Sequence, residues 1–138
     1  MTPIIMKTTE EIKEQLANKF LTGLKNRDWQ LMRSALTDDV TWTLPRTSLL
    51  SGPAAGADAV IKRAGQLRDF GVMVQLKHIL YGLDSVALSL HNTASRGDLI
   101  LDEQVAIVCD IIDGRISRIV THLSDVEGIN NFFVEGVI

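Results

Sequence analysis

The hydrophobic rhythm of the chain changes near residue 71. Before it, apolar residues return every three or four positions; after it, they alternate. Ile12, Leu16, Phe20 and Leu24 recur at four-residue spacing, so they share one face of a helix. Thr8 and Glu11 stand at capping-box spacing ahead of that run, and the helix ends near Asn26. Asp28 is placed to cap a second, shorter helix through Trp29, Leu31, Met32 and Leu36. Val40 to Leu44 alternates apolar residues with Thr and is stopped by Pro45, which predicts a strand. Residues 45–56 are rich in Pro, Ser and Gly and predict a loop. A third helix follows from Ala57 to Phe70, with Val60, Ile61, Ala64 and Leu67 on one side and Gly71 as its stop. The rest predicts strands: Val72 to Tyr81, then two hairpins between Val86 and Asp125. The tail from Asp125 to Phe133 predicts a short closing helix.

Helices first and long strands afterwards specify an α+β domain. The sheet is expected to curl around three helices of the N-terminal half as a cone with a cavity inside. Residues 1–7 read as a flexible leader and residues 8–138 as a single domain. Both faces of the sheet carry apolar residues, so the outer one is expected to be covered by a second copy in a homodimer.

The hairpin turns predict which residues face each other. Asp113-Gly114 as a two-residue turn pairs Ile112 with Arg115, and so Ala106 with Thr121 and Gln104 with Leu123. Arg96-Gly97 as a turn pairs Ser95 with Asp98, and so His91 with Asp102 and Ser89 with Gln104. A turn at Leu83-Asp84 pairs His78 with Ser89 and Leu76 with His91. Because strand side chains alternate, all of these fall on one face, mixed polar and apolar, which is read as the pocket. Val86, Leu88, Leu90, Val105, Ile107 and His122 fall on the other.

That map suggests chemistry. A carboxylate beside a histidine fixes the imidazole tautomer and prepares it for proton transfer, so His91 with Asp102 is a candidate base and orienter. His78 stands one row away as a candidate donor, beside Ser89 and Gln104, which are placed to donate hydrogen bonds to a substrate oxygen, Gln104 orienting the ligand together with Thr121. Trp42 alternates with threonines and shares a face with Leu44, where a large ring can shape a cavity wall. The alternative reading treats all of these as ordinary packing and solvated pairs. His78, His91 and Asp102 follow no recognised metal-ligand spacing, and no metal or other cofactor is expected.

Composition narrows the classes. A net charge of −3 with no basic run argues against nucleic acid, which needs clustered cations. No apolar run approaches the roughly 18 residues of a membrane span. The opening MTPIIMK lacks a signal-peptide layout, and a single cysteine, Cys109, suits a reducing cytoplasm. GPAAGADA lacks the lysine of a phosphate loop, and Ser48 and Ser51 sit in no nucleophile-elbow pattern.

The segments FLTGLKNRDWQLMRSALTDDVTW, SGPAAGADAVIKR, HNTASRGDLILDE, IIDGRISRI and LSDVEGINNFF, in this order, resemble the nuclear transport factor 2-like superfamily. Within it the chain is similar to SnoaL-like polyketide cyclases and ketosteroid isomerase-like proteins. The resemblance covers nearly the whole chain. It implies a cystatin-like cone: a curved, largely antiparallel sheet on three helices, a conical pocket, and commonly a dimer through the outer sheet face. It also implies an apolar, oxygen-bearing small-molecule ligand, with Phe20, Trp42, Leu44 and Thr121 at the pocket. The catalytic groups of ketosteroid isomerases do not carry over. Leu44 stands where their base lies, Phe20 where their helix-one tyrosine lies, and Ala106 where their protonated aspartate lies. The last aspartate of limonene epoxide hydrolase-like members falls near Thr121. The expectation is therefore an isomerase or cyclase moving a proton next to a carbonyl. A non-catalytic binding or assembly module is the alternative.

Overall fold

Thr9 opens the first helix, α1 (Glu10–Asn26), its Oγ1 accepting from the Ile12 N–H at 3.1 Å. The cap is thus Thr9, one residue beyond the capping-box expectation; Thr8 lies outside the described residues. The computed structural model describes residues 9–45, 52–125, 127 and 131–133. Residues 126 and 128–130 of the expected closing helix, and the whole of the expected leader, fall outside that set. The helix ends at Arg27 in the left-handed region (φ 54°) and gives way to α2 (Trp29–Ser34), capped by Asp28. These two helices meet closely at Gly23, where a β-carbon would stand only 2.8 Å from the Met32 Cβ. A third helix, α3, runs Ala57–Asp69.

Six strands follow the order β2-β1-β6-β5-β4-β3 in one sheet. They are β1 (Leu36–Leu44), β2 (Gly52–Ala55), β3 (Met73–Tyr81), β4 (Ser85–Arg96), β5 (Leu99–Ile112) and β6 (Arg115–Leu123). Strand β1 begins four residues earlier than its alternation predicts, taking Leu36 from the expected second helix. It runs antiparallel to β2 and parallel to β6, so the sheet is mixed. Part of the expected loop is therefore β2, an edge strand where Pro53 is tolerated.

The sheet wraps its inner face around the helices. Phe20, Met32, Val60, Leu88, Ile116 and Ile119, each less than 2% exposed, form the centre of that core. Lys13, 5% exposed, reaches across to donate to the Gly82 carbonyl at 2.5 Å and ties α1 to the β3–β4 turn. A second apolar cluster of Leu44, Phe70, Val72, Leu101, Phe132 and Phe133 closes one end. Among the described residues, no helix is long and apolar enough to cross a membrane.

Register decides which side chains reach the core. At Asp113-Gly114 both turn residues have positive φ (51° and 76°), and Ile112 pairs with Arg115 as predicted. Ser117 is then an extra residue in β6: Ile111 opposes Ile116, but Asp110 opposes Arg118. From there the pairing is shifted by one, so Thr121 opposes Ile107 and His122 opposes Ala106. Lys77 is a similar extra residue in β3, so Leu76 opposes Leu90 rather than His91, while His78 keeps its predicted partner Ser89. The β4–β5 turn is Gly97-Asp98, one residue later than Arg96-Gly97, with Gly97 at φ 60°. Arg96 therefore opposes Leu99, and His91 opposes Gln104 rather than Asp102.

Candidate functional site

The helices and the inner sheet face enclose a cavity of about 50 Å³. Phe20 and Leu24 of α1, Leu67 of α3 and Phe133 of the tail form one wall. Trp42, Leu44, Leu90, Val105 and Ile107 come from the sheet. That volume holds a few small atoms, and pockets for drug-sized ligands run to hundreds of cubic ångströms, so a ring enters only if the walls part.

Three polar side chains interrupt this apolar lining: Asn92, Glu103 and Thr121. Among the described residues, Glu103 is the only titratable group in it. It sits between Leu101 and Val105 on β5, so strand alternation turns it inward with them, to 1% exposure. Its Oε2 accepts from the Ser124 hydroxyl at 3.0 Å and from the Asp125 N–H at 2.9 Å. Ser124 is itself aimed by the Gln104 N–H, which donates to its oxygen at 2.9 Å. The other oxygen, Oε1, is buried and accepts nothing. Burial pushes the Glu103 carboxyl above the ordinary range. The Asp125 N–H and Ser124 O–H bonds pull it back, and the charges of Asp125 and Asp102 push it up again. Asn92 lies directly opposite on β4, and its Oδ1 is also buried without a partner.

Thr121 belongs to a second polar group. Its Oγ1 accepts from the Trp42 indole Nε1–H at 2.8 Å, both residues being buried. Since the threonine oxygen is an acceptor there, its own hydrogen remains to be donated elsewhere. Arg63, 7% exposed, holds the indole from behind. Its Nη1 donates to the Trp42 carbonyl at 2.6 Å, and its guanidinium carbon lies 5.7 Å from the ring centroid. Phe20 packs edge-on against the same ring, with centroids 5.8 Å apart.

No protein-family model matches the sequence, and no curated protein does either. Solved structures match over most of their length. Bal32a, from a soil-derived mobile gene cassette, superposes with a TM-score of 0.81 at 24% identity, over 89% of this chain and 99% of its own. An NTF2-like protein from Burkholderia xenovorans LB400 gives 0.77 at 11% identity, over 91% and 98%. TerC, co-crystallized with polyporic acid, gives 0.77 at 16% identity, over 88% and 98%. The chain has the NTF2-like fold.

In this NTF2-like cone, four of the residues expected at the pocket line it: Phe20, Trp42, Leu44 and Thr121. The other five are not brought there. His78, Ser89, His91, Asp102 and Gln104 project from the outer face of β3, β4 and β5, because Val86, Leu88, Leu90, Leu101, Val105 and Ile107 take the inner positions. The mixed face is thus the outside of the cone and the apolar face the inside, except on β6, where the extra residue at Ser117 returns Thr121 and Leu123 to the interior, and at Leu76 of β3, which packs against the core ahead of the extra residue at Lys77. His91 and Asp102 do meet, Nε2 to Oδ1 at 2.6 Å, as a diagonal pair in which Asp102 is 69% exposed. His122 is outward and exposed, as expected. Ala106 is outward as well, so the position inherited from the isomerase aspartate does not face the cavity.

Glu103 and Asn92 are the functional candidates that the sequence reading passes over. Their signal is nonetheless present: each interrupts an alternating apolar stripe, Leu88-Leu90-Asn92 on β4 and Leu101-Glu103-Val105 on β5. Among the described residues, no group of three or more His, Cys, Asp or Glu is placed to hold a metal.

Proposed function

We propose that this protein binds a compact, mostly apolar, oxygen-bearing molecule and moves a proton at the carbon next to its carbonyl, as an isomerase or cyclase, with Glu103 as acid and base. The observation that carries the reading is the Glu103 carboxyl: 1% exposed, part of the cavity lining, anchored through one oxygen, with the other buried and unpartnered. A carboxyl raised by burial is a stronger base once ionised than one in water, and a proton it gains is held out of solvent. Glu103 Oε1 takes a proton from the carbon, the C–H electron pair becomes a carbon–carbon double bond, the carbonyl π pair moves onto the oxygen, and an enolate forms. The protonated carboxyl then returns the proton at the same carbon or at one conjugated with it. Trp42 and Arg63 hold Thr121 as a fixed hydroxyl that orients the ligand toward β6. TerC, a neighbour in fold, was co-crystallized with polyporic acid, which supports a ligand-binding role for this fold.

The test is deuterium exchange. Wild-type protein and Glu103→Gln are incubated in heavy water with a panel of small cyclic ketones, and isotope uptake is followed by NMR. Wild type accelerates exchange for at least one ketone, and the variant does not. Equal exchange by both proteins removes Glu103 from the chemistry. No acceleration by wild type leaves the non-catalytic binding module.

We also infer a homodimer through the outer sheet face. Met73, Leu80 and Ile100 stand exposed on that face (67%, 58% and 75%), and between them run the small side chains of Ser89 and Ala106. Sedimentation equilibrium tests this: wild type sediments as a dimer, and Leu80→Glu shifts it toward monomer. A monomeric wild type ends the proposal.

A further inference from the structure

Buried polar atoms in folded proteins nearly always have partners, so those without one need a reason. Among the described residues, four buried side-chain atoms lack a hydrogen bond: Thr37 Oγ1, Arg68 Nε, Asn92 Oδ1 and Glu103 Oε1. The last two are not scattered. Asn92 and Glu103 are direct cross-strand partners, both project into the cavity, and both orphaned atoms are oxygens.

We propose that the cavity selects ligands bearing a neutral hydroxyl, as a phenol or an enol, whose oxygen sits between Glu103 Oε1 and Asn92 Oδ1. The inference rests on the cavity being the ligand site and names what it takes. Oε2 already accepts two hydrogen bonds, so a proton on this carboxyl belongs on Oε1. The neutral acid then donates from Oε1 to the ligand oxygen, and the ligand hydrogen is donated to Asn92 Oδ1. Only a group that both accepts and donates satisfies the two atoms at once, and a hydroxyl does so with a single atom. A ketone has no hydrogen to give to Asn92. A carboxylate faces two acceptors, and an ammonium has no lone pair for the acid. A charged ligand must also be stripped of water against walls whose described residues offer no counter-charge beyond Glu103.

Groups that set the state of Glu103 are few. Asp125, just after β6, and Asp102, on β5 itself, act on it through their charges. Among the described residues, the rest of the lining, drawn from α1, α3, every strand but β2, and the tail, holds no other titratable group.

The experiment compares toluene, phenol, benzoate and benzylammonium as probes of one ring size, by calorimetry on the full-length protein at pH 5 and pH 8. At pH 5 phenol binds about tenfold or more tighter than toluene, the worth of filling an orphaned buried pair, and both ions bind more weakly than phenol. The preference is larger at pH 5 than at pH 8, the direction in which a carboxyl loses its proton. In Asn92→Leu, toluene still binds and the phenol preference falls to within about threefold. Should that variant fail to fold, the wild-type series at the two pH values decides alone. Equal binding of phenol and toluene, tightest binding of either ion, a preference retained in Asn92→Leu, or no phenol binding up to its solubility overturns the inference. Ketone exchange without hydroxyl selectivity defeats this inference alone, and hydroxyl selectivity without exchange defeats the proton-transfer reading alone.

Discussion

Thr121→Val probes the polar fittings of the cavity with little change of shape. Valine matches threonine in volume but cannot accept the Trp42 N–H, which now bonds Thr121 Oγ1 at 2.8 Å. Trp42 is 4% exposed and Thr121 6%, so water does not easily replace the lost acceptor. A neutral hydrogen bond contributes about 0.5–1.5 kcal/mol net, but a buried donor left stranded raises the loss to about 1–3 kcal/mol. For a domain of this size the melting temperature should fall by roughly 3–10 °C. Calorimetry or urea unfolding measures it. The companion Trp42→Phe removes the donor, and in the double variant no donor is stranded. The two changes together should therefore cost about 1 kcal/mol less than their sum. The reasoning is refuted if Thr121→Val lies within about 0.5 kcal/mol of wild type and the cycle shows no coupling, since additivity holds to that margin for independent sites.

Other outcomes follow from residues already placed. The Glu103 carboxyl is raised in the folded state, so the stability linked to its proton is fully present below the unfolded value, 4.5. That stability is lost as pH rises through the folded value. Glu103→Gln has no such proton, so its stability relative to wild type should improve from pH 4 to pH 8 in urea titrations; a relative stability that stays level or falls contradicts this. Gly23→Ala should destabilise by about 1–3 kcal/mol, as overpacking does, because the new methyl meets the Met32 Cβ at 2.8 Å. A urea midpoint equal to that of wild type would show that α1 and α2 can move apart freely.

Helices were the most legible part of the chain, because their signals are local. The four-residue recurrence of Ile12, Leu16, Phe20 and Leu24 lies within α1, and Asp28 caps α2 as its position suggests. Asp113-Gly114 likewise announces its turn by composition alone. The cavity was less legible for two reasons. First, polar residues on the mixed face of β4 and β5 drew the chemistry outward, whereas the carboxyl that matters lies inside an otherwise apolar stripe. Second, neither Lys77 nor Ser117 announces itself as an extra residue, since nothing in either side chain distinguishes it from ordinary strand neighbours. The parallel pairing of β1 with β6 was also invisible, because about 75 residues separate strands that no turn connects. His91 and Asp102 come together for a reason the turn did not give: a shift of two residues preserves the face and leaves them diagonal.

Ser117 has a consequence for comparing such proteins with one another. With that residue counted, Thr121 belongs to the interior; with it removed, every later side chain of β6 would change sides, and His122 would point where Thr121 now does. Sequence alignment registers this as a gap of one, the smallest difference it can record. In the folded molecule it exchanges inside for outside along half a strand. Function can therefore be transferred along β6 only after the extra residue has been located in both proteins, and identity at an aligned column says nothing until then.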